Sequence, residues 1–319
     1  MGGLRPRLGV LVCLLVWTGL WGCGAPSLRA PEGELRINLR TEPPTLDWSR
    51  ATDNVSVLVI EQLMQGLTRL GSDLRAEPAL AERWEVSPDG LTYTFHLRPS
   101  ARWSNGDHVT ADHFLAGFQR TLSPDTNSTY AFLLESLLDV SATDDATLVI
   151  ELHSPTPYLL SVLSMPIAFP LWHDGEIDAG QFSELGKFVG NGAYLLDEWL
   201  PGAHIRLRKN PEFHDSENVA IDFVEYYAVQ DLLSELNMYR AGQLDITASV
   251  PGSHVNILRE SHGGELQIAP SLALYYVAFD LSESPLDNTE LRQALKMAVD
   301  REALVTAIEI GRASCRESV

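Results

Sequence analysis

From Leu35 to Leu39 apolar and polar residues alternate, as on a strand with one buried face. Val55, Leu58, Val59, Leu63 and Leu67 then recur at helical spacing, with Asp53 or Asn54 placed to cap the helix. Alternation returns over Leu91–Leu97. Because Pro88-Asp89-Gly90 separates this run from Trp84-Glu85-Val86, the pattern predicts a β-hairpin. Thr110 to Leu122 reads as an amphipathic helix with Thr110 as N-cap and Asp112 in its first turn. Asp144-Asp145 turns into a strand over Thr147–Leu152. Tyr194–Leu200 and His204–Arg208 form a further strand pair joined at Pro201-Gly202. Val219–Val229 is strand-like, Asp231–Ala241 helical, Leu272–Leu281 a long strand of aromatic and aliphatic residues, and Glu290–Ile308 helical. Strands and helices alternate irregularly, so the chain is of the α/β or α+β class and not a simple βα repeat.

The start of the chain has another logic. Arg5 and Arg7 precede an apolar run, Leu8–Leu20, that is shorter than the roughly 20 residues of a membrane-spanning helix. It closes on Leu20-Trp21-Gly22-Cys23, the layout of a bacterial lipoprotein signal. Residues 1–22 therefore read as a signal peptide, Cys23 as a lipidated N-terminus and residues 23–32 as a linker. An extracytoplasmic protein held at a membrane surface is expected. At the other end, Glu309–Val319 lacks a cap and any apolar continuation, and resembles a translated sequencing adaptor. The expectation is a non-native tail over 309–319 and a natural protein that continues past Ile308.

Composition narrows the chemistry. The 319 residues carry a formal net charge of −20, with 21% charged and 45% apolar residues, which is globular. Residues 1–22 hold two arginines and no acids, so −20 becomes −22 without them. Such a chain repels phosphate backbones, and no nucleic acid is expected as a partner. The cysteines are Cys13, Cys23 and Cys315, too few for a disulfide framework or a Cys-based metal site. The nine histidines are scattered, with no HExxH motif, and no G-x-S-x-G elbow occurs. The Gly-Lys pair in Gly180–Lys187 has the wrong spacing for a phosphate loop, and Phe188 stands where Ser or Thr is required. No cofactor, no metal and no enzymatic activity are expected. Trp84, Tyr93, Phe95 and Trp103 read as core aromatics. Asn105-Gly106-Asp107 reads as a tight turn whose Asp caps the next segment, and Asn191-Gly192 as backbone requiring φ > 0.

Several segments share a further likeness. They are Thr41–Asp47, Glu61–Leu67, Pro78–Phe114, Val189–Trp199 with Lys209-Asn210-Pro211, Leu236–Ile246, and Leu274–Leu304. In this order they resemble the extracytoplasmic solute-binding proteins of peptide ABC importers, the oligopeptide and dipeptide binding family. The resemblance implies a two-lobed periplasmic-binding-protein-like α/β fold that closes around an extended peptide. It implies a lobe I core over 33–54 and 187–270, an inserted subdomain over 55–186, and the start of lobe II over 271–308.

The same likeness implies candidate ligand-binding residues. Glu42 matches an acidic position at the cleft edge, where it either faces the peptide's amino terminus or caps a turn. Tyr130 matches a cleft-wall aromatic, with a core role as the alternative. Tyr275 and Tyr276 lie on opposite faces of the strand entering lobe II, one buried and one toward the ligand. Implied partners are an oligopeptide ligand, ABC permease subunits and a membrane reached through the lipid anchor, with the protein a monomer. On the same scaffold a nickel complex, haem or an oligosaccharide is the alternative ligand, and a signalling lipoprotein the alternative role.

Overall fold

The computed structural model describes residues 32–173, 187–268 and 276–307. Its first strand, β1 (Glu34–Asn38), is followed by a loop and by helix α1 (Asn54–Leu63). Asp53 caps α1 by accepting from the Ser56 N–H. Short strands β2 (Thr68–Leu70) and β3 (Ala76–Pro78) pair with each other. Next come β4 (Ala81–Val86) and β5 (Thr92–Leu97), α2 (Ala111–Leu122), then β6 (Leu137–Asp144), β7 (Thr147–Leu152) and the single turn α3 (Leu159–Val162). The chain returns through β8 (Tyr194–Leu200), β9 (His204–Lys209) and β10 (Phe223–Tyr227) to α4 (Leu232–Arg240) and α5 (Val255–Ser261). Two helices, α6 (Thr289–Ala298) and α7 (Arg301–Ala307), close the described chain.

Two four-stranded sheets organise these elements. One has the order β1-β10-β9-β8, with β1 and β10 parallel and the other pairs antiparallel. The other, β4-β5-β7-β6, is antiparallel throughout. Both sheets contribute to one apolar cluster: Phe95, Leu148 and Ile150 from the second sheet, Leu207 and Val224 from the first, and Ile60, Leu63 and Phe114 from α1 and α2. Trp103 and Phe95 are fully buried and Trp84 packs against the same cluster. Gly90, with φ +71°, makes the β4–β5 turn that its sequence announced.

The loop before α1 is part of that core. Leu46 and Trp48 are buried, while Asp47 between them pairs with Arg120 of α2 at 2.6 Å. Residues 189–193 form a second seam. The Asn191 Oδ1 accepts from Gln65 N at 2.7 Å, and Nδ2 donates to Gln65 O at 3.3 Å. This corrects the reading of Asn191-Gly192, since Gly192 is not among the positive-φ residues. Glycine is required there by close approach: a Cβ on Gly192 would stand 2.5 Å from Gln62 O.

Other expectations also shift. Helix α1 stops at Leu63, and Met64 is extended, because the main chain of Gln65 is taken up by Asn191 rather than by a further helical turn. Leu67 is buried, but from a bend just before β2 and not from the helix. Asp107 does not cap α2; its Oδ2 accepts from Asn105 Nδ2 and from Trp172 Nε1, and Thr110 begins the helix. The expected strand Leu272–Leu281 is absent over its described part, Tyr276–Leu281, which is irregular. A strand needs a neighbour to take its backbone groups, and no main-chain hydrogen bond joins this stretch to another described residue. The single helix expected over Glu290–Ile308 is broken at Val299-Asp300, where Asp300 caps the second piece by accepting from Ala303 N. Cys23, Tyr275 and Glu309–Val319 lie outside the described residues.

Candidate functional site

In open α/β sheets ligands bind outside the carboxyl ends of parallel strands, where connections diverge to either side. Strand β1 sits at such a point. Strand β10 lies parallel to it on one side. On the other side Ile246 forms a parallel bridge to Ile37, reached from β10 through α4. Asp245 N and Ile246 N donate to Arg36 O, and Asn38 N donates to Ile246 O. Arg36 and Asp245 add an ion pair at 3.2 Å.

The residue at the end of β1 holds this divergence in place. Asn38 is 1% exposed. Its Oδ1 accepts from Val229 N and Arg40 N, and its Nδ2 donates to Val229 O. Arg40 is thereby held at φ +70°, a conformation that costs a non-glycine residue about 1–2 kcal/mol. The turn it makes lifts Thr41–Pro44 away from the sheet. Among the described residues, none hydrogen-bonds to the main chain of Thr41, Glu42 or Pro44. An extended backbone running past this rim would find free donors and acceptors.

Glu42 stands on the rim, where its Oε1 accepts from Gly202 N in the β8–β9 turn. Thr41, Glu42 and Pro43 face His204, Tyr226 and Tyr227 across an open recess of about 180 Å³. His204 Nε2 lies 2.9 Å from Glu198 Oε2 and 3.9 Å from Glu225 Oε1. The Tyr227 hydroxyl donates to Glu225 Oε2 at 2.7 Å; burial and that carboxylate push its pKa up to about 12. The recess is lined mainly by aromatic and aliphatic side chains, with Glu42 the acidic residue on its wall and the Glu198–His204–Glu225 cluster beside it. Among the described residues, no three His, Cys, Asp or Glu side chains converge to hold a metal ion.

The other candidates lie elsewhere. Tyr130 donates its hydroxyl to Thr52 O at 3.3 Å, and its ring meets Phe132 edge-on at 6.3 Å. Nothing in the described residues joins it to the rim, and its half-buried ring packs on the core. Tyr276 is 77% exposed in the irregular stretch before α6. Of the predicted residues that are described, only Glu42 lines the recess. Asn38, His204 and Tyr227 went unrecognised, since a buried Asn at a strand end looks in sequence like any turn-forming Asn.

Residues 75–316 match the bacterial extracellular solute-binding proteins, family 5. The chain belongs to this family. It is 35% identical to the dipeptide-binding protein DppE of Bacillus subtilis over 96% of this chain and 61% of that protein. It is 33% identical to the probable deoxycholate-binding periplasmic protein YgiS of Escherichia coli, over 93% of this chain and 59% of the relative. Among solved structures, OppA of Burkholderia pseudomallei superposes with a TM-score of 0.83 at 28% identity, covering 88% of this chain and 59% of that one. OppA of Haemophilus influenzae, solved in complex with the peptide RPPGFSPFR, gives 0.82 at 28% identity, over 87% and 58%. The fold is the two-lobed α/β fold of these periplasmic binding proteins, and the chain spans about three-fifths of the length of the curated relatives it matches.

Proposed function

We propose that the protein captures peptides outside the cytoplasm and hands them to an ABC permease, without itself catalysing a reaction. The observation that carries this reading is the open main chain of Thr41–Pro44 at the carboxyl end of β1, beside the recess that Glu42 lines. Main-chain pairing gives affinity without regard to side chains, and Glu42 adds negative potential near a ligand's amino group. In this reading residues 33–54 with 187–270 form a lobe I core, 55–186 an inserted subdomain and 271–308 the entry to lobe II. Lipid on Cys23 tethers the protein to the membrane. Acyl chains contribute about 0.8 kcal/mol per buried CH₂, so two or three hold firmly.

The likeness to YgiS favours a second reading, a bile-acid ligand such as deoxycholate in the same recess. Calorimetric titration of the full-length protein with tri-, tetra- and penta-alanine, and separately with deoxycholate, separates the two. Heat with the oligoalanines that weakens in Glu42→Gln supports peptide capture, whereas heat with deoxycholate alone replaces it by the second reading. For the anchor, palmitate labelling that persists in Cys23→Ser would exclude lipidation at this residue.

A further inference from the structure

Glu235, on the inward side of α4, is the fully buried carboxylate of the described structure, at 0% exposure. No basic side chain is paired with it among the described residues. Its Oε1 accepts from Ala248 N at 2.5 Å, while Oε2 is buried and has no hydrogen-bond partner among the described residues. Taking a carboxylate out of water is costly, and an apolar side chain at such a site is ordinarily at least as stabilising. A Glu in this place is therefore explained by what it holds and not by the stability it adds.

What it holds is the segment that leaves the sheet at the carboxyl end of β1. Ile246 pairs with Ile37 and its O accepts from Asn38 N, so Ala248 stands two residues beyond the bridge, at the carboxyl end of β1. From there 247–250 leaves the sheet, bending at Ala248. Ala248 turns its side chain to solvent and its N–H inward to Glu235. The main chains of Thr247, Ser249 and Val250 form no hydrogen bond with any other described residue. The rim accordingly has two open backbones, one continuing β1 and one continuing its neighbour at Ile246. Asn38 sets the first by fixing Arg40 and Val229.

We propose that Glu235 is a positioning residue that sets the second: its carboxylate clamps Ala248 and fixes 247–250 as a wall of the ligand groove. The proposal rests on the peptide-binding reading for its ligand, but the clamp itself does not.

Three variants of the full-length protein test it: Glu235→Leu, which removes the acceptor; Glu235→Gln, which keeps it; and Ala248→Pro, which removes the donor from the other side. Amide hydrogen exchange reads the clamp directly. Ala248 should exchange more slowly than Ser249 and Val250 in the wild type, and Glu235→Leu should raise its rate at least about tenfold while core amides such as that of Leu207 stay protected. Tetra-alanine affinity, read by calorimetry, should fall at least about tenfold in Glu235→Leu and Ala248→Pro and stay within about threefold in Glu235→Gln. A merely structural Glu would shift the melting temperature and leave affinity alone. Unchanged exchange at Ala248 in Glu235→Leu overturns the clamp whatever the ligand proves to be. Accelerated exchange with unchanged affinity in both acceptor-free and donor-free variants overturns the wall. Absence of tetra-alanine binding in the wild type counts against the peptide reading, and the exchange measurement still decides the clamp.

Discussion

The side-chain amide of Asn191 pairs with the main chain of Gln65 as one strand residue pairs with another, accepting at 2.7 Å and donating at 3.3 Å across 126 residues of chain. Asn38 does the same to Val229, at 2.8 and 2.9 Å. Both asparagines are 1% exposed, and each ends a run of regular structure by supplying the bonds the next residue would otherwise miss. Replacing Asn191 by Ala leaves the Gln65 N–H and C=O without these partners. An unsatisfied buried group costs about 1–3 kcal/mol. Urea unfolding of Asn191→Ala should therefore show a loss in that range or somewhat above it, with Asn191→Asp, which keeps the acceptor, intermediate. Wild-type stability in Asn191→Ala would show that water replaces the clasp.

Two glycines separate close approach from backbone conformation. Gly106 has φ +92° and open space around its Cβ position, so Gly106→Ala meets only the left-handed penalty of about 1–2 kcal/mol. Gly192 has an ordinary φ, but its Cβ would press on Gln62 O, Leu63 C and Met64 N, all at 2.5 Å. Backbone cannot swing aside as a side chain does, so Gly192→Ala should cost more than Gly106→Ala, on the order of 3 kcal/mol. Thermal unfolding of the two variants side by side gives the ranking, and a reversed order refutes the packing argument.

Asp47 and Arg120 lie at the junction of the β1–α1 loop and α2, with side chains 12% and 13% exposed. Asp47 Oδ1 also accepts from Ser49 N and Ser49 Oγ, and Arg120 Nε donates to Ser49 Oγ. Removing one partner of a buried ion pair typically costs about 3–5 kcal/mol, because the other charge stays buried alone. Arg120→Ala is expected to lose stability on that scale. The double variant Asp47→Ala with Arg120→Ala should lose clearly less than the sum of the singles, as a double-mutant cycle in urea reads directly. Additive losses would mean the two groups act independently.

His113 makes stability depend on pH. Its Nδ1 accepts from Thr110 N at 3.0 Å and lies 3.2 Å from Trp103 Nε1, which closes the capping box of α2 with a neutral imidazole. Burial, then the neighbouring His173, lowers its pKa below the usual 6.5, against the opposing pull of Asp107 and Asp112. A depressed folded-state pKa means that the unfolded chain binds the proton more readily. The contribution is complete above pH 6.5 and is lost as pH falls through the lower, folded value. His214, whose pKa burial also lowers, acts in the same direction. The urea midpoint should drop between pH 7.5 and pH 5, and drop less in His113→Gln, which can still accept from Thr110 but does not titrate there. An equal drop in both proteins would remove His113 from the account.

Features set by neighbours within a few residues were legible in the chain itself. The alternation of Thr92–Leu97, the turn at Asp89-Gly90, the cap at Thr110 and the strand Tyr194–Leu200 all appear where their pattern placed them, since strand period, turn conformation and helix capping depend on contiguous residues. Strands β2 and β3, three residues each, carry too short a pattern to stand out, and form because they pair with each other. Tyr276–Leu281 shows the converse: a run rich in strand-forming residues stays irregular where no described residue pairs with it.

The rim was beyond local pattern altogether. Its parts, Glu42 with Gly202, Asn38 with Val229 and Glu235 with Ala248, are 160, 191 and 13 residues apart. A buried Asn or Glu has the same local signature as a solvated one, because burial and partner are settled by how distant segments pack. The chain alone thus determined the strands and helices whose pattern is long enough to stand out, and which family they suit. Only the tertiary structure decided which polar side chains are taken out of water to hold the open backbone of the groove, because that desolvation cost is offset solely by contacts made across the fold.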